Sequence, residues 1–302
     1  MDQYAHIVAF AEHLGPRTKC LPELPEVEKL TPRILRVLGG NPGAMQLQGT
    51  NTYILGTGAE RLLIDSGQGL LRWAELISDL CEEESFTIRQ VLLTHWHLDH
   101  TQGIRDLLCM NPDLKNAIHK YAPDPSQRPI TDGQVFAVEG ATLQAIFTPG
   151  HSTDHVCFLL QEDKAIFTGD TVLGHGTTGT EDLWDYMHSL EKLAGLSACI
   201  GYPGHGAVIL DLQQKIQQEI TLKKRREQQV IVALEQIGLA RGEQKGLATQ
   251  AHLIEAVFGQ IPDVSRQFLD VYMRDLLMKL AREKRVAFKF RDGQKHWFVK
   301  VQ

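Results

Sequence analysis

The sequence predicts an α/β protein, a sandwich of two β-sheets with helices on the outside (αβ/βα), followed by a small winged-helix-like module. Three observations lead to this prediction. Short apolar segments alternate with amphipathic helical stretches in two successive blocks of the chain. Several apolar segments end directly before a histidine or an aspartate. Beyond residue 210 the pattern changes to helix, helix and hairpin.

The elements of the larger domain, placed at residues 1–227, follow from hydrophobic periodicity. Residues 1–30 are expected to form an irregular arm, because prolines interrupt any periodic pattern there. Strands are predicted at residues 34–38, 51–55 and 61–64. Helices are predicted at residues 70–80, 104–110 and 182–193. Further apolar runs, each followed by a potential metal ligand, lie at residues 91–93, 143–147, 165–167 and 199–202.

The smaller, winged-helix-like domain is placed at residues 228–302. A long helix at residues 212–237 leads into it, and its polar surface is typical of an exposed helix. Two helices and two strands are then predicted at residues 248–258, 264–283, 286–290 and 296–301. The dipeptide Asp292-Gly293 is a strong signal for a hairpin turn between the two strands.

Composition limits the classes of function. The 302 residues, 43% of them hydrophobic, are enough for one large domain and one small one. Residues 1–210 carry 14 Lys and Arg against 26 Asp and Glu, whereas residues 211–302 carry 17 against 11. Such asymmetry is typical of two modules with different partners. The sequence contains no run of 18 apolar residues, so we expect no membrane span. The N-terminus lacks an apolar signal core, so we expect no secretion signal.

The cysteines indicate a reducing compartment. The sequence has five of them, scattered and without a CxxC pair. An odd number of dispersed cysteines is typical of free thiols, not of a disulfide framework. We therefore expect a cytoplasmic protein. Cys20 lies in the N-terminal arm, to which we assign no role.

The densest group of potential metal ligands is the run Thr-His-Trp-His-Leu-Asp-His at residues 94–100. It follows an apolar segment directly, as expected for a strand that ends and turns back. Imidazole nitrogens and carboxylate oxygens are good ligands for zinc and similar divalent ions. His95 and His97 are expected to face one side of a cavity, and Asp99 and His100 the other.

Three further ligands follow the later apolar runs, each directly after a glycine that permits a tight turn. They are His151 in Thr-Pro-Gly-His, Asp170 in Phe-Thr-Gly-Asp, and His205 in Tyr-Pro-Gly-His. Together with the run at residues 94–100 they make five histidines and two aspartates. This set is sufficient for two metal ions that share a bridging carboxylate and a bridging water.

In order and spacing, these seven residues resemble the metallo-β-lactamase fold superfamily. The resemblance implies a first metal bound by His95, His97 and His151. It implies a second metal bound by Asp99, His100 and His205, with Asp170 bridging the two. An aspartate at the bridging position favours the glyoxalase-II-like hydrolases over antibiotic hydrolysis. Two divalent ions are implied, with zinc as the first choice and manganese as the alternative, because nitrogen and oxygen ligands accept both.

Other residues are assigned with an alternative. Asp65 matches an early aspartate of the superfamily that orients metal ligands, or it is a turn residue before Gly67. His155 lies near the metals or in the core. His175, in a glycine-rich loop, is predicted to act in the substrate pocket, with Asp99 and Asp170 as the other catalytic residues. The run Lys223, Lys224, Arg225 and Arg226 is either a docking patch for an acidic partner or a solvated helix face.

Further segments resemble one subgroup of the superfamily over about residues 23–302. Residues 39–43 and 48–53 match its N-terminal signature, as do residues 174–177 and 202–206 later in the chain. The subgroup contains thioesterases of fungal aromatic polyketide pathways and an animal lactamase-like endoribonuclease with a winged-helix-like tail. His175 and the Leu-Pro-Glu-Val stretch at residues 24–27 favour the fungal thioesterases.

Two functions are therefore expected from the resemblance. The first is a metal-dependent thioesterase that releases an aromatic polyketide from the acyl carrier protein of a polyketide synthase. The alternative is a metal-dependent endoribonuclease that acts on single-stranded RNA. A deep apolar cavity beside the metals would favour the first, and a basic open groove with exposed aromatic residues would favour the second. Carrier protein and RNA are both acidic, so the positive C-terminal part suits either.

Overall fold

The computed structural model of the protein describes residues 21–240, 247–259 and 263–300. Of the described residues, those from 21 to 216 belong to one compact unit, and those from Gln217 onward belong to a second. This division falls before the predicted boundary at residues 227 and 228, so the domain limits stay a prediction. Cys20 and most of the N-terminal arm lie outside the described residues.

The first unit contains a seven-stranded sheet in which neighbouring strands follow chain order. Its strands are β1 (Val27–Thr31), β2 (Ile34–Leu38), β3 (Asn51–Leu55), β4 (Glu60–Ile64), β5 (Thr87–Leu92), β6 (Ile118–Lys120) and β7 (Arg128–Pro129). Strands β1 to β4 are antiparallel, and β4 to β7 are parallel. Parallel strands end at the same edge of a sheet, so residues that follow β4 and β5 are brought together.

A second, five-stranded sheet has the order β12-β11-β10-β9-β8. Its strands are β8 (Val135–Val138), β9 (Ala141–Phe147), β10 (Val156–Leu160), β11 (Ala165–Gly169) and β12 (Ile200–Pro203). Strands β11 and β12 run parallel, and the remaining pairs are antiparallel. Tyr53 of the first sheet packs edge-to-face on Phe167 of the second, with ring centroids 5.0 Å apart. The main core therefore lies between the two sheets.

Helices cover the outer faces of the sheets. They are α1 (Leu71–Glu83), α2 (Leu98–Thr101), α3 (Ile104–Met110) and α4 (Leu183–Ala194), with a 3-10 helix at Pro112–Asn116. The apolar face of α1 buries Trp73, Ile77 and other residues in a second core with the first sheet. Asp182 caps α4 through its side chain, and Ser189 of α4 donates to the carbonyl oxygen of Pro149 just after β9, at 2.7 Å. The predicted αβ/βα sandwich is confirmed.

One part of the predicted arm is a strand. Residues 27–31 form β1, which pairs with β2, so the assignment of all of residues 1–30 to an irregular arm is wrong at this end. The last proline of the arm is Pro25, and nothing after it prevents pairing. Strand β1 is short and charged, and its Glu28 forms an ion pair with Arg36 at 2.6 Å. Hydrophobic periodicity does not distinguish such an edge strand from a loop.

The second unit has the predicted order of helix, helix and hairpin. Its elements are the long helix α5 (Leu212–Ala240), which begins in the first unit, then α6 (Gln250–Phe258), α7 (Asp263–Arg282), β13 (Val286–Arg291) and β14 (Gln294–Val299). Thr249 forms a capping box with His252 at the start of α6. Asp292 and Gly293 both have positive φ, as the hairpin turn requires. None of the helices among the described residues is long and apolar enough for a membrane span.

Candidate metal centre

The predicted ligands lie where strands of both sheets end. Residues 94–100 begin two positions after β5 ends. His151 follows β9, Asp170 directly follows β11, and His205 follows β12. The buried apolar strands fix the backbone, and the polar residues after them turn into one site. Each of these residues therefore follows a strand end, as its position after an apolar run predicts.

The structure brings all seven residues together in two neighbouring groups. The first group is His95, His97, His151 and Asp170; the second is Asp99, His100 and His205. Within each group, one nitrogen or oxygen atom of every member lies within 4.8 Å of the others, so each group could hold a metal ion. Asp170 contacts both groups, with its Oδ2 lying 3.6 Å from His151 Nε2 and 3.2 Å from His205 Nε2.

Two histidines of the first group, His95 and His97, are held in the neutral form. His95 Nε2 lies 2.9 Å from His97 Nδ1, and His151 Nε2 lies 3.1 Å from the same atom. Burial, followed by the nearby His100, lowers the pKa of His95 well below its usual value. Burial, followed by the nearby His151, lowers the pKa of His97 to about 4. A neutral imidazole presents a lone pair, which is the form that binds a metal ion.

The second group places a carboxylate close to two histidines. Asp99 Oδ2 lies 3.3 Å from His205 Nε2 and 3.5 Å from His100 Nε2. Burial opposes the charge on His100, but Asp99 and Asp170 outweigh burial and raise the pKa of His100 to about 9. Burial is likewise outweighed at Asp99, where His100 and His205 hold the pKa below its usual range. Burial opposes the charge on His205 as well, but Asp170 and Asp99 outweigh burial and raise the pKa of His205 well above its usual value. A divalent ion that binds here would displace the protons of both histidines.

The outer nitrogens of the ligand histidines have partners that orient the rings. His100 Nδ1 lies 2.8 Å from Asp65 Oδ2, and His151 Nδ1 donates to the carbonyl oxygen of Gly179 at 2.9 Å. His95 Nδ1 lies 2.9 Å from the hydroxyl of Thr94. In each case a hydrogen bond on Nδ1 leaves Nε2 directed at the centre, which is the arrangement found around metal-binding histidines.

Asp65 connects two parts of the centre. Besides contacting His100, its carboxylate accepts from the backbone N–H of Thr94 at 2.8 Å and from the Thr94 hydroxyl at 2.9 Å. Asp65 has a φ of +57°, a left-handed conformation, so it also shapes the turn after β4. The two interpretations from the sequence are compatible, because the side chain of Asp65 contacts His100 and its backbone forms the turn. Its effect on metal binding stays a prediction.

His155 lies beside the centre and contacts the backbone of Asp170, not its carboxylate. Its Nε2 accepts the backbone N–H of Asp170 at 3.0 Å. Its Nδ1 lies 2.9 Å from the hydroxyl of Thr148 and 3.1 Å from that of Thr171. Burial, followed by the nearby His151, lowers the pKa of His155 well below its usual value. A neutral His155 therefore fixes the backbone of Asp170.

His175 is exposed and belongs to neither group of ligands. The loop that carries it does reach the centre, because the hydroxyl of Thr178 lies 2.8 Å from His151 Nδ1. Thr178 and Gly179 are thus the residues of this loop that contact His151. A role for His175 in the substrate pocket stays a prediction.

The predicted docking patch needs a correction at Lys223. This residue is only 4% exposed, and its Nζ lies 5.9 Å from the ring centroid of Tyr272. Arg226 is half-buried and stacks on Phe258, with its guanidinium carbon 4.9 Å from the ring centroid. Lys224 and Arg225 are exposed. The prediction of a four-residue patch is wrong for Lys223, because α5 turns this side chain toward α7.

Sequence reasoning missed the residues that fasten the centre to β3. Asn51 Nδ2 donates to the carbonyl oxygens of Pro203 and Gly206, each at 2.9 Å, and the Tyr53 hydroxyl donates to Pro203 at 2.7 Å. These bonds hold the loop that carries His205. The available signal was the polar segment at residues 48–53, which continues into a fully buried strand.

The donor set fits divalent metal ions. His100 Nε2 and Asp170 Oδ1 are buried and have no hydrogen-bond partner among the described residues. Buried polar atoms are rarely left in this state unless an ion or ligand completes them. The remaining donors are imidazole nitrogens and carboxylate oxygens, which suit zinc and manganese alike.

A family model described as the metallo-beta-lactamase superfamily matches residues 46–108 and 110–205, which include all seven predicted ligands. The chain belongs to this superfamily. Among solved structures, this metallo-beta-lactamase superfamily member resembles a beta-lactamase domain protein from Burkholderia ambifaria. The TM-score is 0.73 at 16% identity, with 94% of this chain and 97% of that chain covered. This likeness supports the fold.

Curated relatives are much more similar in sequence to this metallo-beta-lactamase superfamily member. It is 63% identical to an "Atrochrysone carboxyl ACP thioesterase" of Aspergillus fumigatus, over 100% of this chain and 98% of that protein. It is 51% identical to a protein of the same description from Paecilomyces divaricatus, over 96% of this chain and 93% of that protein.

Proposed function

We propose that this protein is a metal-dependent thioesterase that releases an aromatic polyketide from the acyl carrier protein of a polyketide synthase. The observation that carries the proposal is the 63% identity, over practically the whole of both chains, to a relative named as an acyl carrier protein thioesterase. The two His/Asp groups supply the donors that such a hydrolase needs. The endoribonuclease stays as the alternative function.

Bound divalent ions would lower the pKa of water and stabilise negative charge on a carbonyl oxygen. His95, His97 and His151 would hold one ion, and Asp99, His100 and His205 the other. Asp170 contacts both groups and would bridge them. Burial opposes ionisation of Asp170, but His205 and His100 outweigh burial and keep its pKa well below the usual value. The bridging carboxylate is thus available as an anion at neutral pH.

The protein's own contribution to catalysis is to fix these groups before the substrate arrives. Asp65 and His155 orient His100 and Asp170, so little reorganisation is needed during the reaction. A thiol leaves as its thiolate with a pKa of about 8–9, and a strong general acid is therefore unnecessary. We propose that Asp99 and Asp170 act in catalysis through the centre and that His175 contacts the substrate.

The finer assignments belong to the same proposal. Zinc is the first choice for both ions, and manganese is the alternative, since the donors are all nitrogen and oxygen. We propose that the partner is the acyl carrier protein domain of a polyketide synthase. Lys224 and Arg225, which are exposed on α5, would contact it. Residues 228–302 would form the winged-helix-like domain. The free thiols support a cytoplasmic location.

The proposal is tested with a small aromatic acyl thioester of pantetheine. Wild-type protein is expected to release thiol, measured with a disulfide dye. The rate should disappear with a chelator and return when zinc or manganese is added. Asp170→Asn, prepared in the same way, is the matched inactive variant. Absence of thiol release from zinc-loaded protein, together with metal-dependent cleavage of single-stranded RNA, would replace this function with the alternative.

A further inference from the structure

The segment before β3 contains buried polar contacts that the mechanism above does not use. Thr50 is completely buried, and its hydroxyl lies 3.0 Å from Oδ2 of Asp99. Asn41 contacts Thr50 twice, through its Oδ1 at 2.9 Å from the backbone nitrogen and its Nδ2 at 3.0 Å from the hydroxyl. These residues come from the two signature stretches 39–43 and 48–53.

The direction of each hydrogen bond follows from the chemistry of the groups. A backbone N–H can only donate, so the Asn41 atom that faces the nitrogen of Thr50 must be the amide oxygen. The Asn41 amide nitrogen then donates to the Thr50 hydroxyl. Because that hydroxyl already accepts, its single hydrogen is free for the carboxylate of Asp99. Asn41 thus directs a donor at Asp99.

Two glycines make room for the Asn41 side chain. A Cβ on Gly39 would lie 2.9 Å from Asn41 Oδ1, closer than such atoms normally approach. A Cβ on Gly49 would lie 3.3 Å from the same oxygen, at a φ of +127° that other residues rarely adopt. Because these two positions are glycines, the side-chain amide of Asn41 can approach the backbone of Thr50.

We propose that Thr50 is a positioning residue for Asp99 and that Asn41 sets the direction of its hydroxyl hydrogen. The oxygen that Thr50 contacts is also the one that lies 3.3 Å from His205 Nε2. The hydroxyl therefore fixes the carboxylate oxygen that faces the second ligand group. The inference rests on the proposed metal-dependent function, and it concerns binding at the Asp99, His100 and His205 group in particular.

The test is a calorimetric titration of the metal-free full-length chain with zinc ions. Wild type is expected to bind two equivalents. Thr50→Val removes the hydroxyl at nearly constant shape and should weaken one of the two binding steps about 10–100-fold, as for other groups that orient metal ligands. Thr50→Ser keeps the hydroxyl and should restore most of the affinity.

Two further variants separate positioning from simple loss of stability. Asn41→Asp keeps the shape but cannot donate to Thr50, so the hydroxyl can turn away from Asp99 and zinc affinity should again fall. Thr52→Val is the matched control, because this buried hydroxyl contacts Val37 and Trp73 and no ligand. It should bind zinc as wild type does, even if the free energy of unfolding falls.

The inference is overturned if Thr50→Val and Asn41→Asp bind both zinc ions with wild-type affinity. It is equally overturned if Thr52→Val loses as much affinity as Thr50→Val, since the effect would then be general destabilisation. Failure of the wild type to bind two zinc ions would overturn the proposed dinuclear centre itself, and this inference with it. The first two results would leave the thioesterase proposal intact.

Discussion

Asp65 Oδ2 lies 2.8 Å from Nδ1 of His100, on the side of the imidazole opposite the nitrogen that faces Asp99 and Asp170. The same carboxylate accepts two hydrogen bonds from Thr94, the residue directly before His95. One buried side chain therefore contacts a ligand of the second group and the backbone that leads to the first group.

Asp65→Asn is expected to weaken zinc binding about 10–100-fold, because an amide is a poorer acceptor for the His100 N–H. Asparagine tolerates the positive φ at this position, so the turn after β4 should remain. Competition against a zinc-chelating dye measures the affinity, and circular dichroism checks the fold. Unchanged affinity in the folded variant would reduce Asp65 to a turn residue.

Asp170→Ala is expected to abolish turnover and lower zinc content, because this carboxylate contacts both ligand groups. His175→Ala should lower turnover while keeping the zinc content of wild type, since His175 is exposed and lies outside both groups. Elemental analysis and thiol release are measured on the same preparations. Loss of zinc from the His175 variant would make it a ligand or a structural residue instead.

Reversal of charge at Lys224 and Arg225 should lower turnover of a carrier-bound thioester more than that of a small mimic. Exposed charge pairs contribute about 0–1 kcal/mol each. The preference for the carrier should therefore be modest and should fall with salt, over a screening length of about 8–10 Å. The buried Lys223 provides a contrast, because Lys223→Glu should lower the thermal midpoint instead. Turnover of both substrates at the wild-type rates by the double variant would exclude this surface from docking.

His119 should make the protein less stable in acid. Burial, followed by the positive charge of Arg128, lowers its pKa to about 4, against about 6.5 in an unfolded chain. Between these values the unfolded state binds more protons, so the free energy of unfolding falls as pH decreases from about 6.5 to 4.

In His119→Gln the free energy of unfolding should depend less steeply on pH, by up to about 1.4 kcal/mol per pH unit, the value for one proton. Urea unfolding at several pH values measures it, with wild type as the reference. Parallel curves for the two proteins would show that His119 does not change its protonation on unfolding.

Much of the fold, and the convergence of the seven predicted ligands on one site, could be predicted from the sequence because both depend on local patterns. Each ligand follows an apolar strand, and parallel pairing brings strand ends to a common edge. The hairpin turn at Asp292 and the cap of α4 at Asp182 are likewise local signals. These features are determined by residues that are close together in the sequence.

The remaining features depend on residues far apart in the chain. Thr50 and Asp99 are 49 positions apart, and Asn51 contacts Pro203 across 152 positions. No periodicity links such pairs, so Asn41 and Thr50 were missing from the predicted site. The burial of Lys223 has the same origin, because it depends on which face of α5 meets α7, and a helix with charges on much of its surface does not reveal this.

The most direct test of the account is mass spectrometry of an acyl carrier protein domain loaded with an aromatic polyketide thioester. After incubation with the zinc-loaded protein, the carrier mass should fall by that of the acyl group and the pantetheine thiol should become free. Asp170→Ala or prior chelation should leave the carrier acylated. A carrier that keeps its acyl group with the metal-loaded wild type, under conditions in which single-stranded RNA is cut, would contradict the account.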